Sequence, residues 1–449
     1  MGRPADTDVI AAVATAQGRA GIGVVRVSGR NLRPLALRLL GSVPVPRRAT
    51  RASFRGSKGE SIDDGLALFF SGPASYTGED VLELHGHGGP VVLSMLLRRC
   101  LELGARLAEP GEFSRRAFLN DKIDLLQAEG IADLIEAATE AAARCALRSL
   151  RGEFSEDIGR LDRELVELRS FVEATLDFPE EEIDVIDRQN VDARLRRLRE
   201  DLTRSADRCK RGSLLRSGLQ VVLAGQPNVG KSSLLNRLAG EEVAIVTEIP
   251  GTTRDAVRQT IQIDGVPMNI IDTAGLRDTV ERVEAIGIAR AWEAIGRADV
   301  LLLIVDAQAG VTDADRVLIS RLPEKLKRVT VFNKIDLSGE APGVSKNKDA
   351  WHVRLSAKSG EGVEDLRLLL LATAGWDSGG EDIFMARERH LLALSRAGEA
   401  LERAAEASRQ VELLAEELRL AHSELNAITG EYTADDLLGE IFSRFCIGK

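Results

Sequence analysis

The sequence is poor in cysteine and in aromatic residues, and it has no long apolar run. Aromatic residues make up 4% of the 449 residues, and the four cysteines are Cys100, Cys145, Cys209 and Cys446. The cysteines show neither paired nor metal-type spacing, so the pattern predicts reduced thiols and excludes a disulfide framework. There is no signal peptide and no apolar span of about 18 residues. These absences favour a cytoplasmic protein.

The chain also lacks an excess of basic residues. It has 60 Lys and Arg against 70 Asp and Glu, which gives a net charge of −10. This balance disfavours a protein that coats nucleic acid, so we expect any tRNA contact to be a local basic patch, shared with a partner. The run from Arg194 to Arg199 is one candidate, although a helix face of this kind is more often only solvated.

The composition and the spacing of apolar residues along the chain predict three kinds of domain. Residues 1–120 mix short strands, Gly and Pro and one helix near 91–104, which is typical of an α+β domain. Residues 121–217 are rich in Ala, Leu, Glu and Arg at helical spacing, and this texture returns in 377–449. Residues 218–376 alternate strands and helices, with a hairpin at Asp264-Gly265, and predict a doubly wound α/β domain. The simplest fold is an all-α domain into which the α/β domain is inserted.

The most informative motif is a complete phosphate loop from Gly225 to Ser232. It has the pattern G-x-x-x-x-G-K-S and lies between an apolar run, 219–224, and an amphipathic helix, 232–238. Backbone N–H groups and the helix N-terminus would therefore point at phosphates. Lys231 would neutralise the β- and γ-phosphates, and the Ser232 hydroxyl would bind Mg²⁺. The alternative reading is a glycine turn that happens to precede a helix.

Four further elements follow in the order that a guanine-nucleotide switch requires. Gly251-Thr-Thr253 supplies a threonine that can reach Mg²⁺ only when the triphosphate is present. Asp272-Thr-Ala-Gly275 supplies an aspartate that holds Mg²⁺ through water and a glycine N–H that can sense the γ-phosphate. A strand at 329–332 leads into Asn333-Lys-Ile-Asp336, whose Asp336 accepts the guanine N1 and N2 protons. Ser356-Ala-Lys358 would give the base a backbone N–H. A Thr pair in a loop is by itself only turn chemistry, but the ordered set predicts GTP binding.

One expected residue is absent. Leu276 follows the D-x-x-G element, where many GTPases have a glutamine that orients the attacking water. A leucine cannot polarise water, so hydrolysis needs another group. The Asn228 side chain could help to hold a monovalent cation beside the phosphates, or it could only stabilise the loop.

Several long and unusual strings span the sequence outside the GTPase motifs. They are Gly21 to Gly29, Tyr76 to Pro90, Pro110 to Lys122, Asp177 to Asp184 and the terminal Phe445-Cys-Ile-Gly-Lys449. With these strings and the GTPase motifs, the whole chain resembles the family of tRNA-modifying GTPases called MnmE or TrmE.

The resemblance implies a more specific function than the motifs alone. Members of the family act on C5 of the wobble uridine, position 34, of certain tRNAs, adding an aminomethyl-type (carboxymethylaminomethyl) group. They work with the FAD-dependent protein MnmG (GidA) as a heterotetramer, and a reduced folate supplies the one-carbon unit. A homodimer forms through the N-terminal domain, and the GTPase domains pair transiently. K⁺ takes the place of an arginine finger, and Glu284 matches the acid that positions water.

The predicted site residues therefore fall into several sets. The resemblance implies that folate binds at Arg26, Glu83, Lys122 and Lys449. Lysine and arginine can pair with its carboxylates, and a glutamate can accept hydrogen bonds from its pterin. Without the resemblance, these residues would be interpreted as members of surface ion pairs. Lys231, Asp272 and Glu284 are the predicted catalytic residues, and Ser232 and Thr253 the Mg²⁺ ligands. K⁺ is assigned to Asn228, Thr247, Ile249 and Thr252. The predicted GTP contacts are Asn228, Val229, Gly230, Lys231, Ser232, Ser233, Thr247, Glu248, Ile249, Pro250, Gly251, Thr252, Thr253, Asp272, Thr273, Ala274, Gly275, Asn333, Lys334, Asp336, Ser356, Ala357 and Lys358.

Two other functions are compatible with the GTPase motifs. One is a GTP-gated factor for ribosome or ribonucleoprotein assembly, with an N-terminal domain that only dimerises. The other is a methyltransferase that uses folate without a partner; against it, the sequence has no dinucleotide fingerprint for a flavin. Cys446 is either a reactive thiol or a small buried residue near the tail.

Overall fold

A computed structural model gives the conformation of most of the chain. It describes residues 8–177, 188–240, 258–272, 298–320, 326–347, 350–376, 383–408, 410–430 and 435–443, with Gly296, Pro323, Phe445 and Gly448. The chain divides into two compact units, residues 1–132 with 422–449 and residues 133–421. The predicted domain boundaries are finer than this division and remain a prediction.

The first unit is built on a six-stranded sheet in the order β3-β4-β5-β2-β1-β6. Neighbouring strands are antiparallel except β1 and β6, which are parallel. The strands are β1 Ile10–Val13, β2 Ala20–Gly29, β3 Thr50–Arg55, β4 Ser61–Phe70, β5 Asp80–Gly88 and β6 Arg106–Leu107. The helices are α1 Arg33–Leu40, α2 Pro90–Glu102, α3 Glu112–Leu119 and α4 Leu125–Glu136, which continues into the second unit.

The apolar residues of β2–β5, α1 and α2 form the core of this unit. Phe54 and Phe69 from the strands pack with Leu39 and Leu96 from the helices, and all four are fully buried. Helix α2 starts with Pro90 in its first turn, where the missing N–H costs no helical hydrogen bond. The expected helix near 91–104 and the α+β class are confirmed.

The second unit contains two textures, as the sequence predicts. Long helices come first: α5 Glu140–Leu150, α6 Glu153–Asp177 and α7 Arg188–Ser217. The α/β part follows, with β7 Leu219–Ala224, α8 Lys231–Ala239, β8 Arg258–Ile263, β9 Val266–Asp272, β10 Val300–Asp306, α9 Asp313–Ser320, β11 Lys327–Asn333, α10 Ile335–Ser338, β12 Gly343–Asn347, β13 Ala350–Arg354 and α11 Val363–Ala374. Helices then return as α12 Glu388–Glu406, α13 Val411–Thr429 and, in the first unit, α14 Asp435–Ser443.

The α/β part is a seven-stranded sheet in the order β12-β13-β11-β10-β7-β9-β8. Its five central strands are parallel, while β8 and β12 pair antiparallel at the two edges. Every residue of β10 from Val300 to Val305 is buried, as expected for a parallel strand covered on both faces. The predicted hairpin is confirmed, since Asp264 and Gly265, both with positive φ, join β8 to β9.

Two of the four arginines in the basic run on α7 form ion pairs with neighbouring helices. Arg194 pairs with Glu167 of α6 at 3.4 Å, and Arg199 pairs with Glu402 of α12 at 3.2 Å. Further along the helix, Arg208 pairs with Asp157 at 2.8 Å. Part of the charge that marked this run as a candidate RNA patch therefore neutralises acids of its own domain.

A buried carboxylate ties together the two places where the chain enters and leaves the α/β part. Asp133, at the end of α4, is 4% exposed. Its Oδ1 accepts hydrogen bonds from Arg216 Nε and Arg387 Nη2, each at 2.9 Å. Arg216 lies in the last turn of α7, directly before β7, and Arg387 is the N-cap of α12. These two hydrogen bonds therefore connect the chain segments on either side of the α/β part to helix α4.

The described residues contain no helix with both the length and the apolar character that a bilayer-spanning segment needs. Cys100, Cys145 and Cys209 are buried free thiols. Burial raises the pKa of the Cys145 thiol to about 11. This thiol is therefore protonated at neutral pH and is not a candidate nucleophile.

Candidate nucleotide and ligand sites

The phosphate loop, residues 225–230, joins β7 to α8 as the sequence predicts. Two glycines in it are required by space as well as by conformation. Gly225 has φ +146°, and a Cβ there would lie 2.2 Å from the carbonyl oxygen of Ile304. Gly230, the N-cap of α8, has φ +96°, and a Cβ there would lie 2.3 Å from Asn333 Nδ2. The loop therefore packs against β10 and β11 with no room for a side chain at either glycine.

The phosphate-binding groups lie at the first turn of α8. Lys231 Nζ donates to the carbonyl oxygens of Gly225 and Gln226, each at 2.9 Å, so the ammonium lies across the loop. Ser232 and Ser233 are exposed at the helix N-terminus. Unpaired N–H groups and the partial positive charge at this helix end favour an anion. The Ser232 hydroxyl is an oxygen ligand of the kind that Mg²⁺ takes.

Asn228 has a left-handed backbone, with φ +63°. Asparagine tolerates this conformation better than most residues, so the loop-stabilising reading has a direct structural basis. Its side chain is exposed, so an amide oxygen at this place also suits a monovalent cation. The two roles are compatible.

Asn333 connects the phosphate loop to the loops that would hold the base. Its side chain is buried, and Nδ2 donates to the carbonyl oxygen of Val229 at 2.7 Å. Its Oδ1 accepts from the backbone N–H of Lys334 at 2.8 Å and of Ala357 at 2.9 Å. One amide group therefore holds the phosphate loop at Val229 and the loop at Ala357 against the start of the Asn333–Asp336 element.

The candidate base loops are held by further hydrogen bonds. Ser356 Oγ donates to Asp336 Oδ1 at 2.6 Å, which orients the carboxylate. Lys334, with φ +69°, pairs with Asp306 at 2.9 Å, and this hydrogen bond keeps the pKa of the Asp306 carboxyl below its usual range. Arg237 of α8 donates to the carbonyl oxygen of Lys358 at 2.5 Å.

The sheet brings these loops to one edge. Strands β7, β10, β11 and β13 are parallel, so the loops at their carboxyl ends lie side by side. Strand β9 is also parallel to β7, with Asp272 opposite Leu223. This edge is where ligands bind in open α/β sheets, and its described loops carry the phosphate and base motifs.

Several predicted site residues lie outside the described part of the chain. They are Thr247, Glu248, Ile249, Pro250, Gly251, Thr252, Thr253, Thr273, Ala274, Gly275, Glu284, Cys446 and Lys449, together with the side chain of Asp272. Their predicted roles stay predictions.

A second polar site lies on the sheet of the first unit, where two predicted folate residues meet. Arg26 of β2 and Glu83 of β5 are opposite each other in the strand register, and their side chains pair at 2.9 Å. The Arg26 guanidinium lies 5.7 Å from the ring centres of Tyr76 and Phe113. It also donates to the carbonyl oxygen of Gly448 at 3.3 Å, next to the predicted Lys449.

The remaining predicted folate residue, Lys122, is exposed just after α3. Its side chain lies near Gly78, where an added Cβ would come within 3.4 Å of Lys122 Cδ. Arg26 therefore contacts both Glu83 and Gly448, whereas the Lys122 side chain lies near Gly78.

Sequence reasoning missed the residues that hold the sites in shape. Arg237 and Asp306 belong to none of the sequence motifs, and Gly448 lies in the terminal string, but the pattern predicts no role for its carbonyl. Arg116, in a string that carried the resemblance, is 2% exposed and pairs with Glu79 and Glu112 at 3.1 and 2.9 Å. It therefore builds the domain interior.

The fold and the loop set define a P-loop nucleotide-binding protein with a guanine-type base loop, which is a GTPase. Comparisons with known proteins agree. Residues 9–122 match the family described as GTP-binding protein TrmE N-terminus, and residues 125–446 match the MnmE helical domain. The chain belongs to the MnmE family of tRNA modification GTPases.

Individual relatives match along their whole length. The tRNA modification GTPase MnmE of Dechloromonas aromatica (strain RCB) is 60% identical over 99% of this chain and 100% of its own. That of Azoarcus sp. (strain BH72) is 59% identical over 99% of each chain. The solved G domain of the T. maritima FeoB iron transporter is 27% identical and covers 35% of this chain and 98% of its own, with a TM-score of 0.27, too low to support a comparison of folds.

The geometry around Asp336 predicts how base specificity can be changed. Asp336→Asn should weaken GTP binding by about tenfold to a hundredfold, because the carboxylate accepts two hydrogen bonds, from the guanine N1–H and N2–H groups. The same change should improve xanthosine triphosphate binding, since the amide can donate to the xanthine O2. Competition against a fluorescent GTP analogue measures both effects. Asp313→Asn, an exposed acid of α9 in the same domain, is the matched control, and an unchanged nucleotide preference in Asp336→Asn would contradict the assignment.

Proposed function

We propose that the chain uses GTP hydrolysis in the modification of C5 of the wobble uridine of certain tRNAs. It acts in the cytoplasm with a flavin-dependent partner of the MnmG type and adds an aminomethyl-type group whose one-carbon unit comes from a reduced folate. The observation that carries this proposal is the 60% identity to a tRNA modification GTPase over both full lengths. A second support is that the guanine-nucleotide loops and the Arg26–Glu83 pair occur in one chain.

In the nucleotide site, we base the roles on the sequence motifs and, for Lys231 and helix α8, on their position at the sheet edge. Lys231 and the N-terminus of α8 stabilise negative charge on the phosphates. Ser232, Thr253 and, through water, Asp272 would hold Mg²⁺, which neutralises charge that develops on the phosphate oxygens. Asp336 selects guanine, and the backbone N–H groups of residues 356–358 assist it. The N–H groups of Ser356 and Ala357 already donate to Glu361 and Asn333, so that of Lys358 is our choice for the base.

Hydrolysis also needs a group that orients water, since Leu276 cannot. We assign this role to Glu284, and we assign K⁺ to Asn228, Thr247, Ile249 and Thr252 as the positive charge that replaces an arginine finger. Transient pairing of two GTPase domains would complete this arrangement. The exposed Asn228 side chain is compatible with it.

For the folate, we propose that Lys449 and Lys122 pair with its glutamate carboxylates, and that Arg26, which pairs with Glu83 at 2.9 Å, lies at the pterin end and orients that carboxylate. Glu83 would accept hydrogen bonds from the pterin amino and N–H groups. The ring faces of Tyr76 and Phe113 beside Arg26 offer an apolar wall for a planar heterocycle. The N-terminal domain would also form the homodimer.

The function is tested on tRNA directly. In a strain that lacks the gene, mass spectrometry of tRNA nucleosides should show loss of the aminomethyl-type wobble uridines. The wild-type gene should restore them and Lys231→Ala should not, because the P-loop lysine would be missing. Lys346→Ala, a lysine on the edge strand β12, is the control. An unchanged nucleoside profile in the deletion strain would contradict the proposal and favour a GTP-gated assembly factor.

The catalytic assignment has its own test. Glu284→Ala should lower the GTP hydrolysis rate by about a hundredfold or more and leave GTP affinity nearly unchanged, because it removes water orientation and not binding. Wild-type turnover should also be faster in K⁺ than in Na⁺. Equal turnover in the two salts would refute the cation assignment, and an active Glu284→Ala variant would refute the acid.

The folate site is tested by equilibrium dialysis with tetrahydrofolate. Arg26→Ala should weaken binding by about tenfold, because a charge-assisted hydrogen bond and a cation–ring contact are both lost. Arg51→Ala, an exposed arginine of β3 in the same sheet, should bind as the wild type does. Equal dissociation constants for Arg26→Ala and the wild type would show that folate binds elsewhere or not at all.

A further inference from the structure

The hairpin β8–β9 connects the two predicted γ-phosphate-sensing segments of the chain. The predicted Mg²⁺ and K⁺ ligands at 247–253 come just before β8, and β9 ends at Asp272 of the D-x-x-G element. Any change that the nucleotide imposes on these two segments therefore acts on the same 15-residue hairpin, 258–272.

The turn of this hairpin is hydrogen-bonded to the helical part by Thr139. Thr139 is the N-cap of α5, and its Oγ1 accepts from the backbone N–H of Ala142 at 3.1 Å. The same hydroxyl donates to the carbonyl oxygen of Gly265 at 2.8 Å. Thr139 is 6% exposed. One buried hydroxyl thus caps a helix with its lone pair and holds the hairpin turn with its proton.

The contact between the turn and α5 is also close sterically. Gly265 has φ +79°, and a Cβ there would lie 2.9 Å from Ala141 Cβ. The turn therefore cannot move toward α5 without displacing that helix, because packed interiors transmit displacement.

The hairpin touches the helical part at a second place. Asn269 of β9 donates from Nδ2 to the carbonyl oxygen of Ser217, the last residue of α7, at 2.9 Å. A Cβ on the next residue, Gly218, would lie 2.8 Å from Asn269 Nδ2. This contact lies where the chain enters the α/β part, one residue from the Arg216–Asp133 pair.

Between these two contacts the packing is not complete. A cavity of about 220 Å³ lies there, lined by Thr260, Pro267 and Asn269 of the hairpin and by Asp133, Leu215 and Met385 of the helical part. Strand β9 is hydrogen-bonded to β7 along its length, and Ile261, Ile263 and Met268 are fully buried, so the hairpin has room for a small shift only on the side that faces this cavity.

We propose that Thr139 is a positioning residue that transmits the nucleotide state of the GTPase site, through the β8–β9 hairpin, to helix α5. The argument uses the Thr139–Gly265 hydrogen bond, the close approach of Gly265 to Ala141 and the position of the hairpin between the two sensing segments. It depends on nucleotide binding alone and not on the proposed tRNA chemistry.

The test is hydrogen–deuterium exchange of the full chain with GDP and with a non-hydrolysable GTP analogue. In the wild type, exchange of the α5 amides, residues 140–150, should differ between the two nucleotides by about threefold or more. Thr139→Ala should abolish that difference. Thr139→Ser, which keeps both hydrogen bonds, should retain it.

A second variant separates the turn contact from simple loss of the helix cap. Thr139→Asp keeps an N-cap acceptor but has no proton to donate to Gly265, so it should also lose the nucleotide-dependent difference while α5 stays capped. Thr203→Ala, whose hydroxyl bonds only within α7, is the matched control and should behave as the wild type. If Thr139→Ala does not fold, the Asp and Ser variants decide the question.

A nucleotide-dependent difference that persists in Thr139→Asp or Thr139→Ala would overturn the proposal, as would a wild type with no difference. Loss of the difference in Thr139→Ser or in Thr203→Ala would also count against it. If tRNA nucleosides are unchanged in the deletion strain while the exchange difference follows the prediction, only the proposed tRNA function fails.

Discussion

The nucleotide site depends on the side-chain amide of Asn333. It is buried and makes three hydrogen bonds, to the backbone of Val229, Lys334 and Ala357. A buried amide that lost one of these partners would carry an unsatisfied polar atom, so the arrangement is strongly preferred over alternatives. Because Val229 lies in the phosphate loop and Ala357 in a base loop, the distance between phosphates and base is set by the protein before any nucleotide binds.

The second constraint is the set of hydrogen bonds where the chain enters and leaves the α/β part. Asp133 holds Arg216 and Arg387, which flank the insertion in sequence, and the Thr139 and Asn269 contacts lie close by in the chain. A domain that joins its host only through two covalent crossings would be free to swing. Here the same crossings carry charge-assisted hydrogen bonds to the buried Asp133 carboxylate, which restrain the α/β part where it joins the helices.

The sequence predicts local features well, because they depend on residues that are close along the chain. The apolar run 219–224 is β7, the hairpin at Asp264-Gly265 is present, and the glycines of the phosphate loop have the backbone that their motif requires. Contacts between distant residues could not be predicted in this way. Asn333 meets Val229 across 104 residues and Arg387 meets Asp133 across 254, and nothing in the local pattern pairs them. For the same reason, the basic run on α7 could not be resolved into ion pairs without the neighbouring helices.

The account depends most on one claim, that this pocket is built for guanine. Its most direct test is an equilibrium competition in which the wild-type chain, with bound fluorescent GTP analogue and Mg²⁺, is titrated with unlabelled GTP and separately with ATP. The account predicts displacement by GTP at stoichiometric concentrations and none by ATP at about a hundredfold excess. Adenine has no N–H at N1 and no amino group at C2, so it cannot donate the two hydrogen bonds that Asp336 accepts from guanine. Displacement by ATP and GTP at similar concentrations would contradict the assignment of Asp336 and of the base loops.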